Sequence, residues 1–304
     1  MAEANNNLSR NNMLIKIHSK YIVIKIFENL TQNKLLNIIN YNKSYQKLMN
    51  KKIIDYIREF SKIEIEIFPK ENTYGKIINN YNKSIHIFFN DNEKEIKRKI
   101  ITKEDNIIKI KIIIDYKVKS FFFLFYGCKC IKKVNFIKFN KVDIKNMCCM
   151  FYGCSSLEEI NLSNFKTNNV TTMAHMFKGC SSLKYLNLSN FSTNNLINMG
   201  GMFKGCSSLK EINLKNFKTN NVINMDNMFE GCSSIREINL SNFNTSNVKY
   251  MNQMFKGCSS LKELNLSSFN INIGTESNEM FKDCSSLQSL ICDNLLIKKE
   301  YENH

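Results

Sequence analysis

Tryptophan is absent from the 304 residues and proline occurs once, at Pro69, while Asn, Ile and Lys are abundant. That bias is what an AT-rich genome produces, so single Lys and Asn residues carry less information than usual. The N-terminus, MAEANNNLSRNNMLIKIHSK, has no apolar core of the length a secretory leader needs. The longest apolar runs, such as Phe121 to Tyr126, fall far short of a membrane span. Read alone, the sequence therefore places the chain in the cytoplasm, with the cell surface as the alternative. No glycine-rich phosphate loop is present. The four histidines, His18, His86, His175 and His304, stand at no meaningful spacing from a Ser, Cys or acidic partner. No enzyme, no cofactor, no metal site and no small-molecule substrate is expected.

Positive charge is plentiful but one-sided. The net charge is +16. Residues 1–150 hold 29 Lys/Arg against 14 Asp/Glu, and residues 151–304 hold 14 against 13. A stripe of phosphate-binding cations along the second half is missing, so nucleic acid is not an expected partner there. Basic character in the first half could meet an acidic protein, a nucleic acid or an anionic membrane, or be solvated lysine from codon bias.

What the chain has instead is a repeat. Phe125, Phe151, Phe177, Phe203, Phe229, Phe255 and Phe281 are each 26 residues apart, and so are Cys128, Cys154, Cys180, Cys206, Cys232, Cys258 and Cys284. A fixed period of this size marks a solenoid. Within one unit, Leu183, Leu186 and Leu188 follow the L-x-x-L-x-L spacing of a leucine-rich-repeat strand, with Leu186 and Leu188 on one face. Leu196, Met199, Met202 and Phe203 then sit at i, i+3, i+6 and i+7, which predicts a short helix. Thr193 to Asn195 could cap its start and Gly205 could end it. Such a coil cannot bury its apolar edge alone, so each copy packs on the next.

The ends depart from the pattern. Val118, Phe121 and Leu124 occupy the apolar positions of Val170, Met173 and Met176, and Ile107 to Ile114 can add a strand. Asp283 replaces the glycine and Cys292 replaces a strand leucine. INIGTESNE, residues 271–279, loses the helical stripe and is expected to form an irregular loop. The expected fold is α/β: a leucine-rich-repeat solenoid of 26-residue coils, each a strand plus a short helix, preceded by a small helical and mixed cap. The expected boundaries are a helical head at 1–60, a mixed strand region at 61–104, the solenoid at 105–297 and a polar tail at 298–304.

The motif M-x-x-M-F-x-G-C-S-S-L-x-x-L-N-L-S-N-F-x-T-x-N-V resembles the BspA-like leucine-rich repeat of bacterial surface proteins and expanded protist families. The resemblance covers roughly residues 120–296. Where that family usually carries Asp, this chain has Asn187 and Ser192. The resemblance implies a protein-interaction role, and adhesion in exported members.

Seven in-phase thiols point the same way, which favours an inert buried ladder over disulfides. Cys148 and Cys149 are expected on the outward side of a helix, with no C-x-x-C pair to build a zinc site. The Met pairs read as core filler. The surface positions of the strands remain: Glu159, Asn161, Tyr185, Asn187, Glu211, Asn213, Glu237, Asn239, Glu263 and Asn265. The Asn column reads either as an amide ladder from coil to coil or as a polar platform for a partner protein. The Glu/Tyr column is where specificity is expected. In the head, Phe27, Leu30, Leu35 and Tyr45 fall near the apolar spacing of an F-box, which would imply docking onto a ubiquitin-ligase core subunit, with Phe27, Leu30 and Tyr45 as the docking residues.

Overall fold

The computed structural model describes residues 61–79, 84–115, 118–139 and 143–303. The expected helical head, with Phe27, Leu30 and Tyr45, lies outside the described residues.

Residues 62–304 form one compact unit. It begins with strands whose sequences alternate Ile with charged residues. In β1 (Ile63–Pro69), Ile63, Ile65 and Ile67 are buried, while Glu64 and Glu66 on the other face are half-buried. Short β2 (Gly75–Lys76) pairs with β4 (Ile100–Ile101). Strand β3 (Ile85–Phe89) and β5 (Ile110–Ile114) join β1 in one sheet, antiparallel throughout. On its other edge β1 pairs antiparallel with β6 (Ile131–Phe139), and β6 pairs in parallel with β7 (Glu159–Asn161). The sheet order is β3-β5-β1-β6-β7. This sheet is where antiparallel pairing ends and parallel stacking of repeats begins.

Beyond β7 the strands are short. β8 (Tyr185–Asn187) pairs in parallel with β9 (Glu211–Asn213), and β10 (Glu263–Asn265) with β11 (Ser289–Ile291). Glu237–Asn239, the corresponding segment between them, is not a strand, although Lys262 N–H donates to the Arg236 carbonyl at 3.2 Å. The structure is mostly strand and turn, with a single helix among the described residues, α1 (Leu295–Glu302).

The short helix expected in each repeat is absent, and the hydrogen bonds say why. Met173, His175, Phe177 and Gly179 donate their N–H groups to carbonyls of the next repeat, at Asn198, Gly200, Met202 and Lys204, over 2.7–2.9 Å. The residues between, Met176, Lys178 and Cys180, donate three residues back, to Met173, His175 and Phe177. Alternate donors thus behave as in a parallel ladder, and none is left for an i−4 bond. Turning the chain this way uses left-handed backbone at two positions per repeat: the glycine column from Gly127 to Gly257, continued by Asp283, and a second column four residues before it. Phe123, Cys149, His175, Gly201, Asn227, Gln253 and Glu279 all have φ between 54° and 59°. An L-residue there is strained by about 1–2 kcal/mol, and the aimed N–H offsets it.

Single bridges link Asn146, Thr172, Asn198, Asn224, Tyr250 and Glu276 in a row. The row includes Glu276, so the 271–279 segment keeps this ladder despite its lost apolar stripe. Phenylalanines form two stacked rows in the core. Phe125 through Phe281 stack at centroid spacings of 5.2–6.1 Å. Phe165, Phe191, Phe217, Phe243 and Phe269 stack at 5.5–6.5 Å. Each such ring pair adds about 0.5–1.5 kcal/mol beyond burial.

Thr193 does not cap a helix. Its buried hydroxyl donates to the Lys218 carbonyl at 3.0 Å and accepts from the Lys218 N–H at 2.7 Å, bracketing the next repeat. Residues 298–302, expected as a polar tail, are the second half of α1. Asn294 caps that helix through the N–H groups of Leu296 and Ile297, Ile297 is fully buried, and Tyr301 meets Phe281 edge-on at 5.8 Å.

Candidate functional site

The ten strand residues singled out from sequence are all exposed, and eight of them share one groove. The groove encloses about 850 Å³ and is lined by Tyr185, Asn187, Glu211, Asn213, Glu237, Asn239, Glu263 and Asn265, with Ser289 and Ile291 at its far end. Its floor is the backbone and the apolar residues of the same segments, among them Leu186, Ile212, Ile238 and Leu264. Strand alternation sets this up: the leucines turn inward and their neighbours outward.

Glu159 and Asn161 lie outside that groove. Glu159 is engaged by Lys133 of the preceding strand at 2.6 Å, and that hydrogen bond holds its carboxyl below the usual range. Asn161 lines a smaller hollow of about 280 Å³ with Asn187 and Asn190. The carboxylates of Glu211, Glu237 and Glu263, in contrast, meet no ion-pair or hydrogen-bond partner among the described residues. Tyr185 is 57% exposed, a large ring left uncovered at the groove's rim.

The Asn column is not an amide ladder between repeats. Each Oδ1 accepts the N–H two residues on: Asn161 from Ser163, Asn187 from Ser189, Asn213 from Lys215, Asn239 from Ser241 and Asn265 from Ser267, at 3.0–3.1 Å. These are local Asx turns that close each of these segments. The amides that do cross between repeats belong to two other columns, which sequence reasoning missed. Asn190 reaches the Leu162, Ser163 and Phe165 carbonyls, and Asn195, Asn221 and Asn247 reach the Asn168, Asn194 and Asn220 carbonyls. The signal for them was their own 26-residue recurrence after the strand, hidden by the abundance of Asn.

Among the thiols, the seven in-phase cysteines are free and buried. From Cys154 onward each S–H donates to the phenylalanine carbonyl of the preceding repeat at 3.0–3.2 Å. Burial pushes the Cys154 and Cys206 thiols up to about 12. Fully buried, with the S–H committed to a carbonyl, these thiols stay protonated near neutral pH and out of contact with solvent. No group of three or more His, Cys, Asp or Glu side chains placed to hold a metal occurs among the described residues. Cys148 is partly exposed, but Cys149, expected to face outward, is buried.

No helix among the described residues is long and apolar enough to cross a membrane. Stacked short strands, Phe rows and the L-x-x-L-x-L motif together define a leucine-rich-repeat solenoid. Residues 119–237 and 208–298 match a single family, and the chain belongs to it: the family described as Mycoplasma protein of unknown function, DUF285. No curated protein matches the chain. A solved leucine-rich repeat protein from Bacteroides ovatus is 17% identical, over 64% of this chain and 67% of its own, with a TM-score of 0.28. A likeness of that size carries no argument about fold or function.

Proposed function

We propose that this solenoid, wound on the 26-residue repeat, is a non-enzymatic protein-interaction module whose sheet face takes a protein partner. The observation that carries the reading is the contrast along one column. Glu159 is neutralised from within the chain, whereas the carboxylates of Glu211, Glu237 and Glu263 and the Tyr185 ring meet no partner among the described residues. A second column lies beside them, in which each Asn Oδ1 is occupied locally and the amide N–H groups remain to be donated outward. Carboxylates, amide donors and one aromatic ring on a stacked scaffold offer oriented polar contacts with little ordering cost on binding. The flanking column, Lys184, Lys210, Arg236 and Lys262, is exposed and of opposite charge, a basic row that the near-zero net charge of the second half had hidden from the sequence, so the face is striped rather than uniformly acidic. Such a pattern suits specificity more than non-selective attraction.

The test is affinity purification from the native cell with the wild-type chain, then with Tyr185→Ala/Glu211→Lys and with Lys204→Ala on another surface. A partner recovered by wild type and Lys204→Ala but lost from the face variant is the expected result. Partners retained at wild-type level by the folded face variant would overturn the assignment of this face.

A further inference from the structure

A different part of the molecule carries a covalent chemistry. We propose that Cys148 and Cys149 form a redox modification site, a vicinal dithiol that closes to a disulfide by exchange with a low-molecular-weight disulfide such as oxidised glutathione.

The two Sγ atoms lie 3.4 Å apart. Their approach follows from the backbone rather than from a chance rotamer. Cys149 is the left-handed residue of its repeat, with φ 54°. The equivalent pair one repeat earlier, Phe122 and Phe123, has the same geometry at Phe123, φ 59°, and its rings stack at 3.9 Å. The turn thus brings consecutive side chains together in both of these repeats. In the later repeats these two positions hold Ala174-His175, Gly200-Gly201, Asp226-Asn227, Asn252-Gln253 and Asn278-Glu279, so two thiols meet in one repeat alone. The turn is held in place: the Asn146 side chain accepts the Cys148 N–H at 2.8 Å, and Cys149 N–H donates to Ala174 at 2.9 Å.

The chemistry divides between the two residues. Cys148 is the one that solvent reaches. Burial, and then the neighbouring thiol, push the Cys149 thiol up to about 12, so it waits protonated. Cys148 thiolate attacks one sulfur of the small disulfide. A mixed disulfide forms, the small S–S bond breaks, and one small thiolate leaves and takes up a proton. Cys149 then gives its proton to solvent and attacks the Cys148 sulfur, expelling the second small thiol. Two protein thiols have lost two electrons and two protons, and one small disulfide has become two thiols.

Closure needs the sulfurs to approach by about 1.3 Å more. Neighbouring Cα atoms are held about 3.8 Å apart by the intervening peptide, below the roughly 4.4–6.8 Å that disulfides usually span. The ring is therefore strained, and strained disulfides are readily reduced. The device is reversible and open under reducing conditions. The peptide that must turn also accepts from Phe123 N–H at 3.3 Å and carries the donor to Ala174. Closing the ring therefore loosens the first repeats from one another.

The full chain is equilibrated with graded ratios of oxidised to reduced glutathione and quenched in acid. It is then alkylated under denaturing conditions, and the peptide containing Cys148, Cys149 and Cys154 is weighed. The expected wild-type product lacks two hydrogens and two alkyl groups while Cys154 is alkylated, and dithiothreitol restores it. Cys149→Ser should trap one glutathione on Cys148, and Cys148→Ser should remain unmodified. In the closed form, hydrogen exchange at the Phe123 and Cys149 amides should quicken. A wild type that keeps both thiols, or that stops at a stable glutathione adduct where Cys149→Ser traps one, would overturn the proposal. So would a Cys149→Ser that takes up no glutathione, or oxidation that yields disulfides between chains.

Discussion

Thr219→Val tests the physical account of the stack most sharply, because hydrophobic reasoning and hydrogen-bond reasoning give opposite signs. Thr219 is fully buried. Its hydroxyl donates to the Asn244 carbonyl at 2.8 Å and accepts from the Asn244 N–H at 2.7 Å. Valine has nearly the same shape and is more apolar, so area burial alone would make the variant as stable or more so. The bracket argument says otherwise. Removing the hydroxyl strands one N–H and one C=O of the next repeat, each at about 1–3 kcal/mol if fully buried. Asn244 is itself exposed, so water relieves part of this, and the sum falls near 2–3 kcal/mol. With a urea slope of about 3 kcal/mol/M for a unit of this size, the midpoint should drop by about 1 M. Thr219→Ser keeps the hydroxyl, loses one methyl and should cost only about 1 kcal/mol. The assay is urea unfolding followed by far-UV circular dichroism, with amide exchange at Asn244 as a local readout. A valine variant at least as stable as the serine variant would refute the reasoning.

Two further predictions concern the left-handed turn. Gly205→Ala places a methyl in ordinary contact with Gly179, 3.7 Å from its Cα, and should cost about 1–2 kcal/mol from its φ of 72° alone. Gly201→Ala carries the same backbone penalty and also overlaps the His175 imidazole, so it should be the worse of the two, and His175→Ala should relieve the difference in a double-mutant cycle of thermal melts; equal costs without rescue would show that the ring swings away freely. His175 also predicts a pH effect. Burial first, then the Lys178 charge, hold its imidazole below the ordinary range, against an opposing contact from the Gly201 backbone. The groups around it are the Gly201 backbone, Lys178, Lys204 and the Tyr152 ring. The unfolded chain binds a proton near pH 6.5 that the folded chain binds only at lower pH, so stability falls as pH drops through that window. Melting temperatures at pH 7.5 and 5.5 should differ more for wild type than for His175→Gln, and identical differences would remove His175 as the cause.

The core was largely legible because burial follows composition at fixed intervals. Phe125 to Phe281 and the in-phase cysteines could be placed inside from their recurrence alone, and the strand residues from Glu159 to Asn265 could be placed outside from alternation. The turn was misread for an identifiable reason. Leu196, Met199, Met202 and Phe203 fit one stripe of a helix, but a strict spacing of three also fits a run of three-residue turns. Only the destination of the alternate N–H groups separates the two. The same limit hid the Thr193 bracket and the Asn190 and Asn195 crossings, since a side chain that could cap its own segment could equally reach a carbonyl of a neighbouring repeat.

The amino-acid sequence by itself determined that this chain stacks, which residues stack and which faces remain outward, because apolar burial depends on residue type and period. The tertiary structure decided where the polar groups go: that turns replace helices, that some asparagines close their own segments while others tie repeats, and that two adjacent thiols meet. Hydrogen bonds are directional and short, so their partners are fixed only once one repeat lies against the next.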